Sequence, residues 1–370
     1  MPLALRRSQQ EIKYAVKVRA TENHPTRSVT EFHWTTLSKK FKPNNLPLYS
    51  KTLEFFEDIK NVVVRSPALP EEPPWHQKPC NVDTALTQCG SKLENPNLLR
   101  NLALEKIDSY KNAVHIYTDA SKTLADKTSA AFCVPKLNVE RSVRLTDNIS
   151  IFAAELTAIK LALLWVINTV KEDICIFSDS LSSLQAISSG KSISRPNLLT
   201  EIFDLIRKYN RNINFIWLPS HIGIKGNELA DRLANLAISG DNIDIDIGLE
   251  LSEAYDLVDR YITGKWQHNW ENEATGSHYR SIQRDVSTKV KFLHPSRHKD
   301  VVLTRLRLGK CCLNAYLHQI GKHPNGLCNS CNIPETVTHY RQDAAKRQTA
   351  GIVFTHRPKI SLTSVSYGKN

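Results

Sequence analysis

The sequence lacks a secretory leader, because the segment from Met1 to Arg7 has no apolar run before a cleavage site. The 8 cysteines are scattered along the chain. Structural disulfides form mainly in oxidising compartments that a leader would give access to. We therefore expect free thiols and an intracellular protein, in the nucleus or the cytoplasm.

The sequence also lacks an uncharged apolar run of membrane-spanning length. Its most apolar stretch, from Ile151 to Val170, contains Glu155 and Lys160. A charged residue at the centre of a bilayer costs about 2.5–3.5 kcal/mol. The stretch therefore predicts a buried helix in a soluble core, and we expect no membrane partner.

The chain has fewer acidic than basic residues, with 37 Asp and Glu compared with 49 Lys and Arg, which gives a formal net charge of +12. This excess predicts a polyanionic partner such as nucleic acid, although a solvated basic surface would give the same count. A chain of 370 residues is longer than one typical domain and predicts two or three units.

Hydrophobic patterning divides the chain into residues 1–111, 112–240 and 241–370. The first region contains an amphipathic helix over Leu5–Ala20 and a proline-rich linker over Ser66–Asn97. In the second, the predicted strands are 113–117, 129–134, 141–145, 173–178 and 213–218, and the predicted helices are 151–169, 181–189, 196–210 and 227–239. Three strands followed by alternating helices and strands predict an α/β fold with a mixed sheet and flanking helices. The third region has a helix over Leu251–Trp270, a basic stretch over 271–310, and unstructured residues from about Arg341, so both ends of the chain are expected to be loosely folded.

Four carboxylates occupy distinctive places in the central region. Asp119 and Asp179 each follow an apolar strand, and Glu155 and Asp231 each lie near the start of a predicted helix. Carboxylates that share a site repel one another, and divalent metal is the usual relief. Oxygen ligands favour Mg²⁺ or Mn²⁺ over zinc. Two such ions can activate a water and stabilise the leaving oxygen of a phosphodiester, and Asp119 would bridge them if its strand lies mid-sheet.

Each acid also has an ordinary structural explanation. A strand-end Asp is commonly a turn residue, Glu155 suits the dipole of a first helical turn, and Asp231 could lie on a helix surface, with Glu228 as a competitor for its role. His221 lies in a glycine-containing loop before the Asp231 helix. It could pass protons, or it could be a loop histidine without a role.

Together these residues resemble the type 1 ribonuclease H family. The matching motifs are Thr118-Asp119-Ala120-Ser121, Ala154-Glu155-Leu156, Ser178-Asp179-Ser180, Pro219-Ser220-His221 and Gly226-Asn227-Glu228-Leu229-Ala230-Asp231. The resemblance covers about 112–240. It implies a five-stranded mixed sheet with flanking helices and Mg²⁺-dependent cleavage of RNA in an RNA–DNA hybrid, leaving a 3′-hydroxyl and a 5′-phosphate. It also implies that the four acids are metal ligands and that His221 is a mobile helper.

The order of a nuclease followed by a basic tail with Cys-x-x-Cys resembles the polyprotein end of jockey-class non-LTR retrotransposons. By this resemblance, residues 1–111 are the last part of a reverse transcriptase and its connection. The polymerase motifs Tyr-x-Asp-Asp and Phe-x-Asp-Asp are absent from the sequence. We therefore expect no polymerase activity.

Cys328, Cys331 and His339 have the spacing of zinc ligands. The tails of related retroelements resemble Cys-x₂-Cys-x₇-His-x₄-Cys, but Ala344 stands at the closing position here. Structural zinc almost always has four ligands. Either His318 or His323 supplies the fourth, or the site binds no metal and the chain is a decaying copy.

Ser121, Ser180 and Ser182 lie where their hydroxyls could meet substrate phosphates, with ordinary capping as the alternative. Only residues 190–195 separate the helices that begin at Leu181 and Pro196, where some cellular members of the family carry a long basic insertion. Substrate affinity would then come from elsewhere, and the basic residues 279–310 are one candidate. A solvated tail is the other explanation of that segment.

Three functions are compatible with the sequence. We favour a hybrid-specific endoribonuclease, because all four acids and the histidine are present. A nucleic-acid-binding remnant without turnover is the alternative, suggested by the missing polymerase and the incomplete cysteine motif. A DNA nuclease or transposase-like enzyme on the same sheet is more remote, since such enzymes commonly use three acids at other spacings.

Overall fold

A computed structural model describes residues 1–21, 23–28, 52, 54–57, 80–89, 95–209, 211–289 and 295–340. The strands are β1 (Asn81–Asp83), β2 (Val114–Lys122), β3 (Thr128–Val134), β4 (Val139–Leu145), β5 (Ile174–Ser178) and β6 (Ile213–Trp217). The helices in these ranges are α1 (Leu3–Ala20), α2 (Pro96–Asp108), α3 (Ile151–Thr169), α4 (Leu181–Ser189), α5 (Pro196–Lys208), α6 (Lys225–Ala237), α7 (Leu251–Asn272), α8 (Ser277–Ile282), α9 (Arg297–Leu308) and α10 (Asn314–Gln319). Residues Ser8–Arg260 form one compact unit, and Met1–Arg7 with the residues from Tyr261 onward form a second.

The six strands form one mixed sheet in the order β1-β6-β5-β2-β3-β4. β2, β3 and β4 are an antiparallel meander, whereas β1, β6, β5 and β2 run parallel. The α/β class and the mixed sheet with flanking helices are therefore confirmed. The sheet has one strand more than the family resemblance implies, because β1 pairs with β6 through Val82 and Phe215. β1 lies inside the stretch that the prolines predict to be a linker.

Apolar side chains cover both faces of this sheet. On one face, α3 and α5 pack on β2 and β5 through residues such as Ile116, Ile159 and Ile202. On the other, residues of α2 and α6, including Ala103 and Ala230, pack in a second cluster. β5 and β2, the two strands in the middle of the sheet, are therefore packed against on both faces.

The apolar stretch that resembles a membrane span is helix α3. Its length and composition alone would allow it to cross a membrane. Ser150 begins it as an N-cap, since its side chain accepts a hydrogen bond from the backbone N–H of Ala153. Most of the first half of α3 is buried, and Leu156, Ile159 and Leu163 belong to the core. The expectation of a buried helix is confirmed for these residues.

Several boundaries differ from the prediction. Asp119 lies inside β2 and does not end it, because pairing with β3 carries the strand on to Lys122. Asp231 lies in the interior of α6, which begins earlier, at Lys225. The basic stretch 271–310 contains helices α8 and α9, and the residues from Arg341 that we expect to be unstructured lie outside the described part of the chain.

Candidate active site

Three carboxylates meet at one edge of the sheet. Asp119 and Asp179 follow Thr118 and Ser178, which pair directly between the parallel strands β2 and β5. Glu155 approaches from α3. One carboxylate oxygen of each of Asp119, Glu155 and Asp179 lies within 4.8 Å of the others. The strand of Asp119 is one of the two central strands, as its proposed bridging role requires.

Burial and mutual repulsion raise the pKa values of these acids. Burial, with the charge of Asp179, raises the pKa of Asp119 to about 8. Burial raises the pKa of Glu155 well above its ordinary value, and the charges of Asp119 and Asp179 add to the effect. Burial also raises the pKa of Asp179. A hydrogen bond from Asn227 and the charge of His221 act in the opposite direction and lower that pKa. A cation bound between the three would favour their ionised forms and so oppose these shifts.

Two buried oxygens in this region have no hydrogen-bond partner. They are Oε2 of Glu155 and Oδ1 of Asn227, whose residues are only 6% and 4% exposed. A buried acceptor without a partner costs free energy unless something else satisfies it. An all-oxygen donor set with an unsatisfied carboxylate oxygen fits a hard divalent cation such as Mg²⁺ or Mn²⁺.

Asp231, the fourth predicted acid, lies beside this group without belonging to its tight core. It is half-buried on α6, and its charge contributes to the raised pKa values of Asp119 and Asp179. Its competitor Glu228 is exposed, and its charge is not among the causes of these raised pKa values. The structure thus favours Asp231 over Glu228 as the fourth acid.

His221 occupies the loop between β6 and α6. Its side chain is exposed, and its backbone has a φ of 55°, in the left-handed region that few non-glycine residues adopt. Its charge lowers the pKa of Asp179, so the two side chains are close. An exposed histidine next to a site carboxylate has the access to solvent that a proton carrier needs.

A glycine fixes how α6 approaches the sheet. A Cβ atom on Gly226 would lie 2.3 Å from Cε2 of Tyr117, far inside contact distance. The Tyr117 ring stacks on Phe177, with 5.0 Å between ring centroids. Only glycine lets the first turn of α6 lie against this pair of rings, and α6 carries Asp231.

The predicted phosphate-binding serines are engaged within the protein. Ser121 Oγ donates a hydrogen bond to Asn235 Oδ1 at 2.7 Å, and the hydroxyls of Ser180 and Ser183 are 2.8 Å apart. Ser180 occupies the N-cap position of α4 but its side chain makes no capping hydrogen bond. Ordinary capping therefore does not account for Ser180.

Sequence reasoning assigned no role to Asn227 or Asn235. Asn227 stands inside the quoted motif around Glu228, but its contact with Asp179 depends on how α6 meets β5. Asn235 donates from Nδ2 to Asp231 Oδ1 at 2.8 Å. The separation of four residues, one helical turn, was the signal that could have identified it.

The cysteine cluster also converges. One ligand atom each of Cys328, Cys331 and His339 lies within 4.8 Å of the others, and Cys331 Sγ is 3.3 Å from Nε2 of His339. A hydrogen bond with His339, with further hydrogen bonds around the turn, lowers the pKa of Cys328 to about 7, so a thiolate forms readily. Neither His318 nor His323, the two histidines predicted as a fourth ligand, belongs to this group. The ring of His318 donates a hydrogen bond to the backbone oxygen of His323. The ring of His323 accepts one from the N–H of Gly326. Ala344 lies outside the described residues.

The mixed sheet and the cluster of three buried acids are consistent with a ribonuclease H domain, and a comparison with known families agrees. Residues 111–239 match the family model described as RNase H. These residues form a ribonuclease H domain. The match contains all four acids and His221, and leaves residues 1–110 and 240–370 outside it.

Proposed function

We propose that the chain is an endoribonuclease that cleaves the RNA strand of RNA–DNA hybrids by two-metal-ion hydrolysis. The observation that carries the proposal is the convergence of Asp119, Glu155 and Asp179 within 4.8 Å in a ribonuclease H domain. Asp119, Glu155, Asp179 and Asp231 would hold Mg²⁺ or Mn²⁺. Two bound ions would activate the attacking water and stabilise the leaving oxygen of the phosphodiester.

The roles of the side chains follow from their positions. Asp119, on one of the two central strands, would hold the ions together with Glu155 and Asp179, whose oxygens lie within 4.8 Å of it. Asp231, half-buried on α6, would be the fourth ligand. His221 would pass protons and assist product departure. The water oxygen ends on the 5′-phosphate, and the leaving 3′ oxygen takes up a proton.

The test is a cleavage assay of the full chain on an RNA–DNA hybrid labelled in the RNA strand, with and without Mg²⁺ or Mn²⁺. Asp179→Asn should reduce cleavage by at least about 100-fold, because residues that merely orient metal ligands are already worth 10–100-fold. Asp231→Asn should reduce it as well, while the matched control Glu228→Gln should not. An intact hybrid with either metal would contradict the proposal.

The same assay separates the other candidate functions. A remnant without turnover would bind the hybrid in a salt-sensitive manner that ignores acid-to-amide substitutions. A DNA nuclease would cut duplex DNA in preference to the hybrid.

We further propose that the chain comes from a jockey-class non-LTR retrotransposon and acts inside the cell, in the nucleus or the cytoplasm. The order of motifs supports this origin, with residues 1–111 as the end of a reverse transcriptase. The protein should then show no primer extension on a primed template.

We also propose that Cys328, Cys331 and His339 bind Zn²⁺. The first support is the convergence of their ligand atoms. The second is the turn that presents the cysteines. In this turn the N–H of Cys328 donates to the backbone oxygen of Ile333 at 2.8 Å, and the N–H of Asn332 donates to the backbone oxygen of Cys328 at 2.9 Å. Three protein ligands leave a position for water or another residue.

Affinity for the hybrid would come in part from the second unit. Arg280 and Arg307 lie over the rings of Trp270 and Tyr279, and these contacts hold both arginines within the protein. Arg297, Lys299 and Arg305 of α9 are exposed and available to backbone phosphates. Replacing these three with glutamine should weaken hybrid binding and reduce its dependence on salt, without changing the metal requirement for cleavage.

A further inference from the structure

A buried ion pair joins Arg195, inside the residues that match the ribonuclease H family, to Glu253, which lies beyond them. Arg195 precedes α5, and Glu253 lies in the first turn of α7. Arg195 is 2% exposed and Glu253 is 5% exposed. One guanidinium NH₂ group pairs with Oε2 of Glu253, and Nε of Arg195 donates to Oε1 at 3.3 Å. A buried carboxylate is tolerated when paired and hydrogen-bonded in this way.

The remaining contacts of Glu253 reach the start of α3. Its Oε1 accepts from the backbone N–H of Ser150 at 2.8 Å and from Ser150 Oγ at 2.7 Å. Its Oε2 accepts from the N–H of Glu250 at 3.1 Å, while Arg195 also donates to the backbone oxygen of Gly248 at 3.0 Å. One carboxylate therefore ties together the beginnings of α3, α5 and α7.

Ser150 is the N-cap of the helix that presents Glu155. Its Oγ accepts from the N–H of Ala153 at 3.2 Å, so one hydroxyl joins Glu253 to the first turn of α3. Glu155 follows directly in the next turn, buried, with Oε2 unpartnered. The backbone N–H of Ala120 forms a hydrogen bond with Glu155, and the position of the side chain also depends on how the helix start is held.

The segment that leads to Glu253 is itself attached to the sheet. Asp244 Oδ2 accepts from the backbone N–H of Arg144 at 2.7 Å, and Thr146 Oγ1 donates to Asp246 Oδ1 at 2.7 Å. Ile245 forms an isolated parallel bridge with Leu145, the last residue of β4. Residues 244–253 are thus anchored along the outer strand of the sheet before they reach α3.

We propose that Glu253 is a positioning residue for the nuclease site, which acts through Ser150 to hold Glu155 in the geometry that metal binding requires. This inference rests on the proposed function. It extends the functional nuclease past residue 239, where the family match ends, to include the anchored segment and the start of α7.

The test compares full-length wild type with Glu253→Gln, which keeps the shape of the side chain and removes its charge. Mn²⁺ binding is measured by titration calorimetry without substrate, and kcat and KM on a labelled hybrid are measured across a range of Mg²⁺ concentrations. Groups that orient metal ligands are typically worth about 10–100-fold in affinity or activity. Glu253→Gln should therefore weaken Mn²⁺ binding about 10-fold or more, with KM for the hybrid changed less than about twofold.

The matched control is Asp259→Asn on the same helix. Asp259 pairs with Lys13 at 2.6 Å and accepts a hydrogen bond from Gln9 at 2.7 Å, both residues of α1, so Mn²⁺ binding should stay at the wild-type value. Arg195→Lys and Glu253→Asp provide milder changes should Glu253→Gln not fold, and circular dichroism verifies the folded state of each. Glu253→Asp should show an intermediate loss of metal affinity.

A folded Glu253 variant with normal metal binding and normal kcat, but a lower melting temperature, would overturn the inference, because Glu253 would then only stabilise the fold. In that case wild type would still bind Mn²⁺ and cleave the hybrid. A wild-type chain that does neither would refute the proposed function, and the positioning role with it.

Discussion

Asn235 donates a hydrogen bond to Asp231 from one helical turn further along α6, with 2.8 Å between Nδ2 and Oδ1. Its other amide atom, Oδ1, accepts from Ser121 Oγ at 2.7 Å. Ser121 lies two residues beyond Asp119 on β2. This relay of two side-chain hydrogen bonds, from Ser121 through Asn235 to Asp231, connects the strand that carries Asp119 with the helix that carries Asp231.

Asn235→Ala should lower kcat for hybrid cleavage about 10-fold, as expected for a residue that orients a metal ligand. Without the hydrogen bond from Asn235, the Asp231 carboxylate would be freer to rotate. The measurement is steady-state cleavage at saturating Mg²⁺. Ser121→Ala should have a smaller effect, and the two losses should not add, since both break one relay. The control is Leu236→Ala, at the exposed residue next to Asn235. An equal loss of kcat in this variant would contradict the relay.

The raised pKa of Asp119 predicts how stability depends on pH without metal. Its pKa is about 8 in the folded chain and 3.8 ordinarily, so folding takes up a proton between these values. The stabilisation is complete below the ordinary pKa and is lost as pH rises through about 8. The melting temperature in EDTA should therefore fall from pH 5 to pH 8.5, and saturating Mg²⁺ should reduce that fall.

Asp119→Asn provides the matched comparison, because the amide cannot titrate. Its melting temperature in EDTA should fall less over the same range, with a residual slope from Glu155 and Asp179, whose pKa values are also raised. An unchanged slope would show that Asp119 is not the buried proton acceptor.

Gly226→Ala should destabilise the nuclease unit by about 1–3 kcal/mol, the usual cost of overpacking. The added methyl would overlap the Tyr117 ring and push α6, with Asp231, away from the sheet. Urea unfolding measures the stability, and the cleavage assay measures the displacement of Asp231. Gly264→Ala is the control, since a Cβ there meets nothing within 4 Å and alanine is the better helix former.

Cys331→Ser should abolish zinc binding by the second unit without altering Mg²⁺-dependent cleavage. Titration with Co²⁺, followed by thiolate-to-metal absorption, should show one site in wild type and none in the variant. Cys312→Ser is the control, because Cys312 is an exposed free cysteine outside the cluster of ligands. Equal Co²⁺ binding by Cys331→Ser would exclude these three residues as the site.

Local signals predicted much of the nuclease fold. Helices α3 and α4 have the bounds that the sequence predicts, 151–169 and 181–189, with Ser150 as the N-cap of α3 and Gly190 as the C-cap of α4, because capping chemistry is local. The apolar runs of β3 and β5 are fully buried strands. The order of the four acids predicted a shared site, and three of them share it within 4.8 Å.

The features that sequence reasoning missed depend on contacts between distant residues. β2 continues past Asp119 because β3 pairs with it, and no residue pattern within β2 predicts this extension. Glu253 meets Ser150 across 103 residues, and its neighbourhood on α7 is an ordinary helix start. Asn227 lies in a quoted motif, yet its proximity to Asp179 exists only once α6 has packed on the sheet.

The pairing of β1 with β6 has a practical consequence for any shortened form of this protein. A version that begins at β2 would leave the backbone of β6 without a neighbour on one side. Bare strand edges recruit strands from other molecules and promote aggregation. Such a fragment should scatter light increasingly with concentration, whereas one that begins before Cys80 keeps β6 paired with β1 and presents only the three-residue edge strand β1, which should recruit other chains less.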